Sequence, residues 1–152
     1  MDFYIDSAQA EIYGSEDYPE IKGYVKFTLT NKGTLVTIAA NGLPYSKEEC
    51  ADRFFAMHIH SGDMCSGNSD DPFAGAGMHY NPEGCPHPRH AGDLPPLISA
   101  KGRAAMSFMT DNFTPSEIIG KTIIIHSKSD DFTTQPAGNS GVKIACGEII
   151  VI

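Results

Sequence analysis

Six histidines stand at positions where their side chains could hold metal ions. His58 and His60 form an H-x-H pair in residues 54–60, which have the composition of a strand. Because alternate residues of a strand face the same side, both imidazoles are expected on one face. His126 ends another predicted strand, from which it can reach across the sheet to this pair. These three residues predict one part of a metal site.

A second group of donors lies in residues 61–98, a segment rich in Gly, Pro, Asp and Ser. His79, His87, His90 and Asp93 follow the spacing H-x7-H-x2-H-x2-D. Three imidazoles and a carboxylate at short spacing can converge on one tetrahedral ion, and this donor set suits zinc. A lone histidine is more often a surface or hydrogen-bonded core residue, and an H-x-H pair alone is weak evidence. The combination is stronger because every histidine of the chain has a proposed partner.

The segments around these donors predict an all-β protein. Apolar and polar residues alternate with a period near two between turn residues, which favours short strands in a sandwich or barrel. The predicted strands are residues 3–12, 21–29, 34–40, 54–60, 103–109, 121–126 and 143–151. Residues 61–98 and 127–141 are predicted as two long functional loops, and residues 115–120 as a short helical turn.

Length and charge limit the possible functions. A chain of 152 residues fits one domain, residues 1–152. Eleven Lys and Arg against 19 Asp and Glu give a net charge of −8, so we expect no nucleic-acid or membrane partner. No signal peptide or membrane span is visible, which favours the cytoplasm, or an exported protein whose signal was removed. Four cysteines point toward an oxidising compartment, so the compartment stays open.

Five short segments resemble the copper–zinc superoxide dismutase family, over nearly the whole chain. They are MHIH (57–60), GMHYNP (77–82), HAGDL (90–94), HSKSDD (126–131) and GNSGVKIACG (138–147). The resemblance implies an eight-stranded Greek-key β-barrel, an immunoglobulin-like sandwich. It also implies an enzyme that converts superoxide to oxygen and hydrogen peroxide, with copper and zinc as cofactors.

The resemblance assigns a role to each donor. It implies copper at His58, His60, His79 and His126, and zinc at His79, His87, His90 and Asp93. His79 then bridges the metals; in the family, copper alternates between Cu(II) and Cu(I), and the bridge breaks and takes up a proton in the reduced state. Asp130 resembles the family's carboxylate that links a copper imidazole to a zinc imidazole, here His58 and His87. The alternative is a solvated carboxylate, as expected for Asp131.

Superoxide is an anion and the chain is acidic, so a local positive group is needed at the copper mouth. Lys143 stands where the family usually has an arginine; lysine keeps the charge but lacks the planar fork. We therefore expect Lys143 to attract the substrate, with reduced efficiency. Lys128 is expected to be an ordinary solvated lysine.

The resemblance also implies a disulfide between Cys65 and Cys146. Cys50 and Cys85 depart from the family pattern, and three alternatives are open for them. They could form a second disulfide, remain free thiols, or, for Cys85, enter the zinc shell.

Two other functions compete with the dismutase. A copper-handling protein of the same fold with little turnover is made plausible by Lys143, Ser61 and a second loop that looks short. A mononuclear zinc hydrolase needs an open coordination position, which a complete set of three histidines and an aspartate argues against. A homodimer is the expected assembly, with Phe54 and Ile150 as apolar candidates for its surface or equally for the core.

Overall fold

A computed structural model of the chain describes residues 5–152, and its regular secondary structure is almost entirely strand. The strands are β1 (Ser7–Gly14), β2 (Lys22–Thr30), β3 (Gly33–Asn41), β4 (Phe54–Phe55), β5 (Met57–His60), β6 (Leu97–Ile98), β7 (Ala104–Thr110), β8 (Thr122–His126), β9 (Lys143–Glu148) and β10 (Ile150–Val151). Helix α1 (Pro115–Ile118) and one 3-10 turn (Ala74–Ala76) complete the elements. Among the described residues, no helix has the length and apolar character needed to cross a membrane.

The strands form one curled antiparallel sheet with a small ladder beside it. The order in the large sheet is β5-β8-β9-β1-β2-β3-β7, and β10 also pairs with β1. Strands β4 and β6 pair separately. Because β4 is followed after one residue by β5, and β6 leads into β7 through the Ala100 and Arg103 bridge, this small ladder links the two edges of the large sheet. The all-β prediction is confirmed.

Burial differs between the two sides of the sheet. In β1 and β3 every second residue is buried and the others are more exposed, as in a sheet with one face on the core. Strands β5 and β8 are buried at every position. Ile59 and Ile123 pack in the main core, whereas Ile124 packs against Phe73 and Ala76. The first long loop therefore covers part of the outer face of these strands, on the side away from the main core.

Three predicted strands show the largest differences from the structure, and the others shift by one residue at one or both ends. Residues 1–4 lie outside the described residues, and β1 extends to Gly14. The predicted strand 54–60 is interrupted at Ala56, whose N–H donates to the Lys128 carbonyl. The predicted strand 143–151 is interrupted at Ile149, whose N–H donates to the Lys121 carbonyl. At both positions the backbone bonds to a neighbouring segment, which breaks the ladder.

The predicted loop 61–98 contains the 3-10 turn (Ala74–Ala76) and, at its end, strand β6. The predicted helical turn at residues 115–120 is present as α1. Strand β7 begins and ends one residue later than predicted. These differences leave the order of the donor-bearing segments unchanged.

One disulfide joins the first long loop to β9. Cys65 and Cys146 are bonded, with their Cα atoms 5.7 Å apart, which confirms the implied pair. Cys50 is exposed and Cys85 partly exposed, and both are free thiols. The alternative of a second disulfide is therefore wrong for this structure, in which the two cysteines stay unpaired.

Candidate metal centre

Four histidines meet at the outer face of β5 and β8. Each offers one ring nitrogen, and these nitrogens all lie within 4.8 Å of one another: His58, His60, His79 and His126. The antiparallel pairing of β5 with β8 brings the strand-borne rings together, with His58 Nδ1 3.0 Å from His126 Nε2. His79 joins them from the first loop through a backbone bridge to His60. The two parts of the histidine pattern thus converge.

The second nitrogen of each strand-borne ring is fixed by a hydrogen bond. His60 Nδ1–H donates to the Gly77 carbonyl at 2.8 Å, and His126 Nδ1 lies 3.5 Å from the Gly141 carbonyl. His58 Nε2–H donates to Asp130 Oδ2 at 2.8 Å. Such bonds set the tautomer and the orientation of a ligating ring. They leave His58 Nδ1 and the Nε2 atoms of the other two rings for a shared ion.

A second group of donors meets in the first loop, where His79 is joined by His87, His90 and Asp93. His79 Nδ1 lies 2.9 Å from Asp93 Oδ1, while His87 Nδ1 and His90 Nδ1 lie 3.1 and 3.3 Å from Oδ2. His79 Nδ1 and His90 Nδ1 are 3.1 Å apart. A tetrahedral zinc ion with bonds of about 2.0 Å separates its donors by about 3.3 Å. The spacing of this group is therefore close to that of a zinc site.

A different grouping replaces His90 with His58, because donors of His58, His79, His87 and Asp93 also lie within 4.8 Å of one another. The hydrogen bonds favour the first grouping. Nε2 of His58 is engaged by Asp130, and its Nδ1 lies next to His126. His90 Nδ1 instead lies next to His79 and Asp93.

Three buried nitrogens test whether these residues fit metal ions. Within residues 5–152, His60 Nε2, His79 Nε2 and His87 Nδ1 are buried without a hydrogen-bond partner. A buried polar atom without a partner costs free energy, so natural structures rarely keep one without a reason. Imidazole suits copper, and imidazole with carboxylate suits zinc. The orphan nitrogens lie among the two donor groups, and the residues fit both metals.

The environment keeps the strand-borne imidazoles neutral. Burial, followed by the neighbouring ring of His79, lowers the pKa of His58 to about 2. Burial is also the main reason that the pKa values of His60 and His126 are lowered to about 3. A neutral ring can bind a metal without first releasing a proton. The three strand-borne donors are thus in their metal-binding form at neutral pH.

The carboxylate of the second group stays charged. Burial raises the pKa of Asp93, but the hydrogen bond from His79 and the nearby His87 outweigh it and the net shift is downward. The pKa of His90 is lowered, chiefly by burial. A charged carboxylate and an uncharged ring are the ligand forms that zinc requires.

Asp130 connects the two groups and is almost fully buried. Its Oδ2 accepts the His58 Nε2–H bond, and its Oδ1 accepts His87 Nε2–H at 2.8 Å. Gly138 makes room for this contact. It has a φ of +71°, and a Cβ there would overlap Asp130 Oδ1 and lie 2.8 Å from His87 Nε2. Only glycine fits this position without moving the Asp130 carboxylate or the His87 ring.

Sequence reasoning missed two amide side chains that hold the backbone of the first long loop. Gln135 Nε2–H donates to the His87 carbonyl at 2.7 Å, and His87 N–H donates to Gln135 Oε1 at 2.8 Å. Asn81 makes the same two bonds to the backbone of Cys85, each at 2.9 Å. Asn81 lies inside a segment that carried the family resemblance, but nothing in the sequence marked Gln135. The Cys85 thiol is not among the converging donors.

Lys143 borders a cavity of about 430 Å³ at the first donor group, together with His60, His79 and His126. Its ammonium is engaged: Nζ lies 2.7 Å from Asp71 Oδ2 and donates to the Phe73 carbonyl at 3.3 Å. The sequence predicted a local positive group here; the structure places Lys143 at the cavity and adds an ion pair with Asp71 that the sequence did not predict. Lys128 is exposed, as predicted.

Comparison with known proteins places the chain in a family. The family profile described as copper/zinc superoxide dismutase matches residues 21–149. This span is most of the chain and contains every donor named above. The chain belongs to the copper/zinc superoxide dismutase family. It is a superoxide dismutase, an oxidoreductase with copper and zinc as its metals.

Individual relatives of the chain carry the same family name. A copper-zinc superoxide dismutase of Deinococcus radiodurans is 32% identical, over 84% of this chain and 76% of its own length. Superoxide dismutase [Cu-Zn] 2 of Aquifex aeolicus is 33% identical, over 93% and 85%. The fold is similar to that of the Cu/Zn superoxide dismutase from Brucella abortus, with a TM-score of 0.78 at 23% identity over 93% of this chain and 98% of that one. This likeness supports the predicted Greek-key β-barrel class.

Proposed function

We propose that residues 1–152 form one dismutase domain with two metals joined by His79. Copper is held by His58, His60, His79 and His126, and zinc by His79, His87, His90 and Asp93. One observation carries this assignment: His79 presents an unpartnered Nε2 and an Nδ1 that lies 2.9 Å from Asp93 Oδ1. A ring with one nitrogen in each donor group is what a shared ligand requires.

The chemistry consumes two superoxide anions and two protons and yields one oxygen and one hydrogen peroxide. Copper, when bound, supplies the one-electron oxidation and reduction. The chain holds the donors still: Gly77 fixes the ring of His60, and Asp130 fixes those of His58 and His87. His79 Nε2 is the buried atom that can hold a proton when it is free. The cavity beside it gives the substrate access.

Metal analysis of two matched variants tests the assignment. His60→Gln is expected to lose copper and keep zinc, because His60 belongs only to the copper group. His90→Gln is expected to lose zinc while copper remains. Elemental analysis with copper electron paramagnetic resonance measures both. Full copper occupancy in His60→Gln would contradict the assignment.

Lys143 is proposed to attract superoxide to the copper. Lys143→Ala is expected to lower kcat/KM and to flatten its dependence on ionic strength, while the metal content stays the same. Lys128→Ala removes an equal charge from an exposed position and serves as the control. A salt profile unchanged from the parent protein would refute the steering role.

The pairing of Lys143 with Asp71 favours one second candidate, a copper-handling protein of the same fold with little turnover. Metal content and superoxide consumption separate the two functions. Tight copper binding with negligible consumption of superoxide would favour copper handling.

We also propose that the chain forms a homodimer. Phe54 and Ile150 are 44% and 54% exposed, so they do not belong to the core. Phe54 lies opposite the exposed Ile98, and Ile150 borders a groove with the exposed Tyr13. Sedimentation velocity measures the assembly of the Phe54→Asp and Ile150→Asp variants. The variant that becomes monomeric identifies the interface. A monomeric parent protein at micromolar concentration would contradict the proposal.

The cytoplasm is the proposed compartment. The exposed free thiol of Cys50 supports it, because oxidising compartments favour paired cysteines. Cys146 is only 2% exposed, so its disulfide is shielded from reductants. Cell fractionation is expected to recover the protein in the cytoplasm. Recovery outside it would support export.

A further inference from the structure

The carboxylate that engages Lys143 belongs to a rigid turn in the first loop. The Asp71 carbonyl accepts hydrogen bonds from the N–H groups of Asn68 and Ala74. Asp71 N–H in turn donates to Asn68 Oδ1, and Asp71 Oδ1 accepts from Phe73 N–H at 3.0 Å. These contacts fix the carboxylate, and Oδ2 meets Lys143 Nζ.

Lys143 is held more tightly than a surface lysine. Its side chain is 17% exposed, against 41% for that of Asp71. The ammonium is bound by a charged oxygen at 2.7 Å and by the Phe73 carbonyl at 3.3 Å. Hydrogen bonds between charged groups are short and strong, as this one is. Burial raises the pKa of Asp71, but the bond from Lys143, the bond from Phe73 N–H and the charge of Lys143 together outweigh burial and lower the pKa.

The pair changes what an approaching anion encounters. A lone ammonium at the cavity would draw in a negative substrate, and such steering raises association rates. A carboxylate 2.7 Å away places an opposite charge beside it, so the attraction falls off more quickly with distance. The cavity therefore presents a dipole where the sequence alone predicts a full positive charge.

We propose that Asp71 is a positioning residue for Lys143, which restrains the ammonium against the cavity wall and weakens its attraction for anions. Asp71 thereby limits the rate at which the copper site captures superoxide. This inference rests on the proposed steering role of Lys143.

Asp71→Asn tests the inference in the metal-loaded protein, and Asp70→Asn is the matched control. Asparagine keeps an oxygen for Phe73 N–H, removes the charge, and replaces the oxygen that accepts from Lys143 Nζ with an NH2 group, so the bond to the ammonium is lost as well. Asp70 carries the same charge on the neighbouring exposed residue, away from the ion pair. Thermal unfolding of both variants checks that the fold is retained, and Asp71→Ser is used if the asparagine variant does not fold.

Three readouts are compared. Pulse acetylation followed by peptide mass spectrometry measures the reactivity of the Lys143 amine. Optical titration with azide measures anion affinity at the Cu(II) protein, and the rate of superoxide consumption is followed against ionic strength. In Asp71→Asn, acetylation is expected to rise several-fold. Azide affinity and the low-salt rate are expected to rise about two- to tenfold, at or below the lower end of the range of about 10- to 1,000-fold for steering, with a steeper salt dependence. Asp70→Asn is expected to change none of these by more than a small factor.

The outcomes separate the two levels of the proposal. Unchanged acetylation of Lys143 in Asp71→Asn would overturn the restraint by Asp71 and leave the steering role standing. Increased acetylation without a change in azide affinity or rate would overturn the steering role, and the inference with it. A rate increase that persists in the Asp71→Asn, Lys143→Ala double variant would place the effect elsewhere and also overturn the inference.

Discussion

Of the proposed copper ligands (the copper half), His58, His60 and His126 stand on β5 and β8, two paired strands that are buried at every position. Of the proposed zinc ligands (the zinc half), His87 and His90 stand in a loop. That loop is held by side chains that bond to one another and to its backbone, and by isolated backbone hydrogen bonds such as that from Asp93 N–H to the His90 carbonyl. The first group is positioned by the core and the backbone ladder, the second by a few polar contacts. We infer that the copper half is preorganised by packing and that the zinc half depends on each of its contacts.

Asp130→Ala is expected to have the largest effect on metal affinity, because Asp130 contacts both the copper half and the zinc half. It would leave the buried Nε2–H groups of His58 and His87 without an acceptor. Loss of such a partner typically weakens metal binding about 10- to 100-fold, and we expect this for zinc and copper together. Competition with chelators measures the affinities. Asp131→Ala is the control, since in the part of the chain that the structure describes its carboxylate bonds only to the exposed Thr133 and Thr134. A loss confined to one metal would contradict the shared link.

The stability of the metal-free protein in acid tests how strongly burial affects the histidines of each half. The unfolded chain binds protons at its histidines below about pH 6.5. In the folded state, the pKa values of His60 and His126 are lowered to about 3 by burial. The stability contributed by these neutral rings is therefore present above pH 6.5 and is lost as the pH falls toward 3.

His60→Gln removes one of these titrating groups. Between pH 5 and 6, it is expected to reduce the slope of unfolding free energy against pH by about 1.4 kcal/mol per pH unit at most, the value for one proton. Urea unfolding of the metal-free parent and variant measures the slopes. His90→Gln removes a less buried ring and is expected to change the slope less. Equal changes of the slope in the two variants would indicate that the rings of His60 and His90 are equally desolvated.

Gln135→Ala gives the smallest expected effect and is confined to the zinc half. It removes two hydrogen bonds to the His87 backbone. Each such bond contributes about 1 kcal/mol, and part of this returns through water, so zinc affinity is expected to fall about three- to tenfold. Copper affinity is expected to stay unchanged. Thr133→Ala, in the same loop, is the control. A loss of copper equal to that of zinc would show that the halves are not separately held.

The strand-borne part of the site was predictable from the sequence because strand geometry is regular. An alternating pattern places His58 and His60 on one face without knowledge of the rest of the fold. The loop-borne donors were predictable as a group because of their short spacing. Strand β6 was not, since it has only two residues and follows Pro95 and Pro96. No periodicity can be recognised in so short a segment.

The contact between Lys143 and Asp71 could not be predicted, because 72 residues separate them and Asp71 lies in an irregular loop. The same holds for Gln135, whose partner His87 is 48 residues away. Loop conformation depends on tertiary contacts that no local pattern encodes. The family resemblance predicted the role of Asp130, but it predicted no role for Asp71 or Gln135.

Gly138 carries a consequence for how the protein tolerates genetic change. It coordinates nothing, yet any other amino acid would insert a carbon between Asp130 and His87. A single-base change in its codon that alters the residue would therefore resemble the loss of a ligand. Damaging alleles of this protein should be sought at that small residue as well as at the histidines.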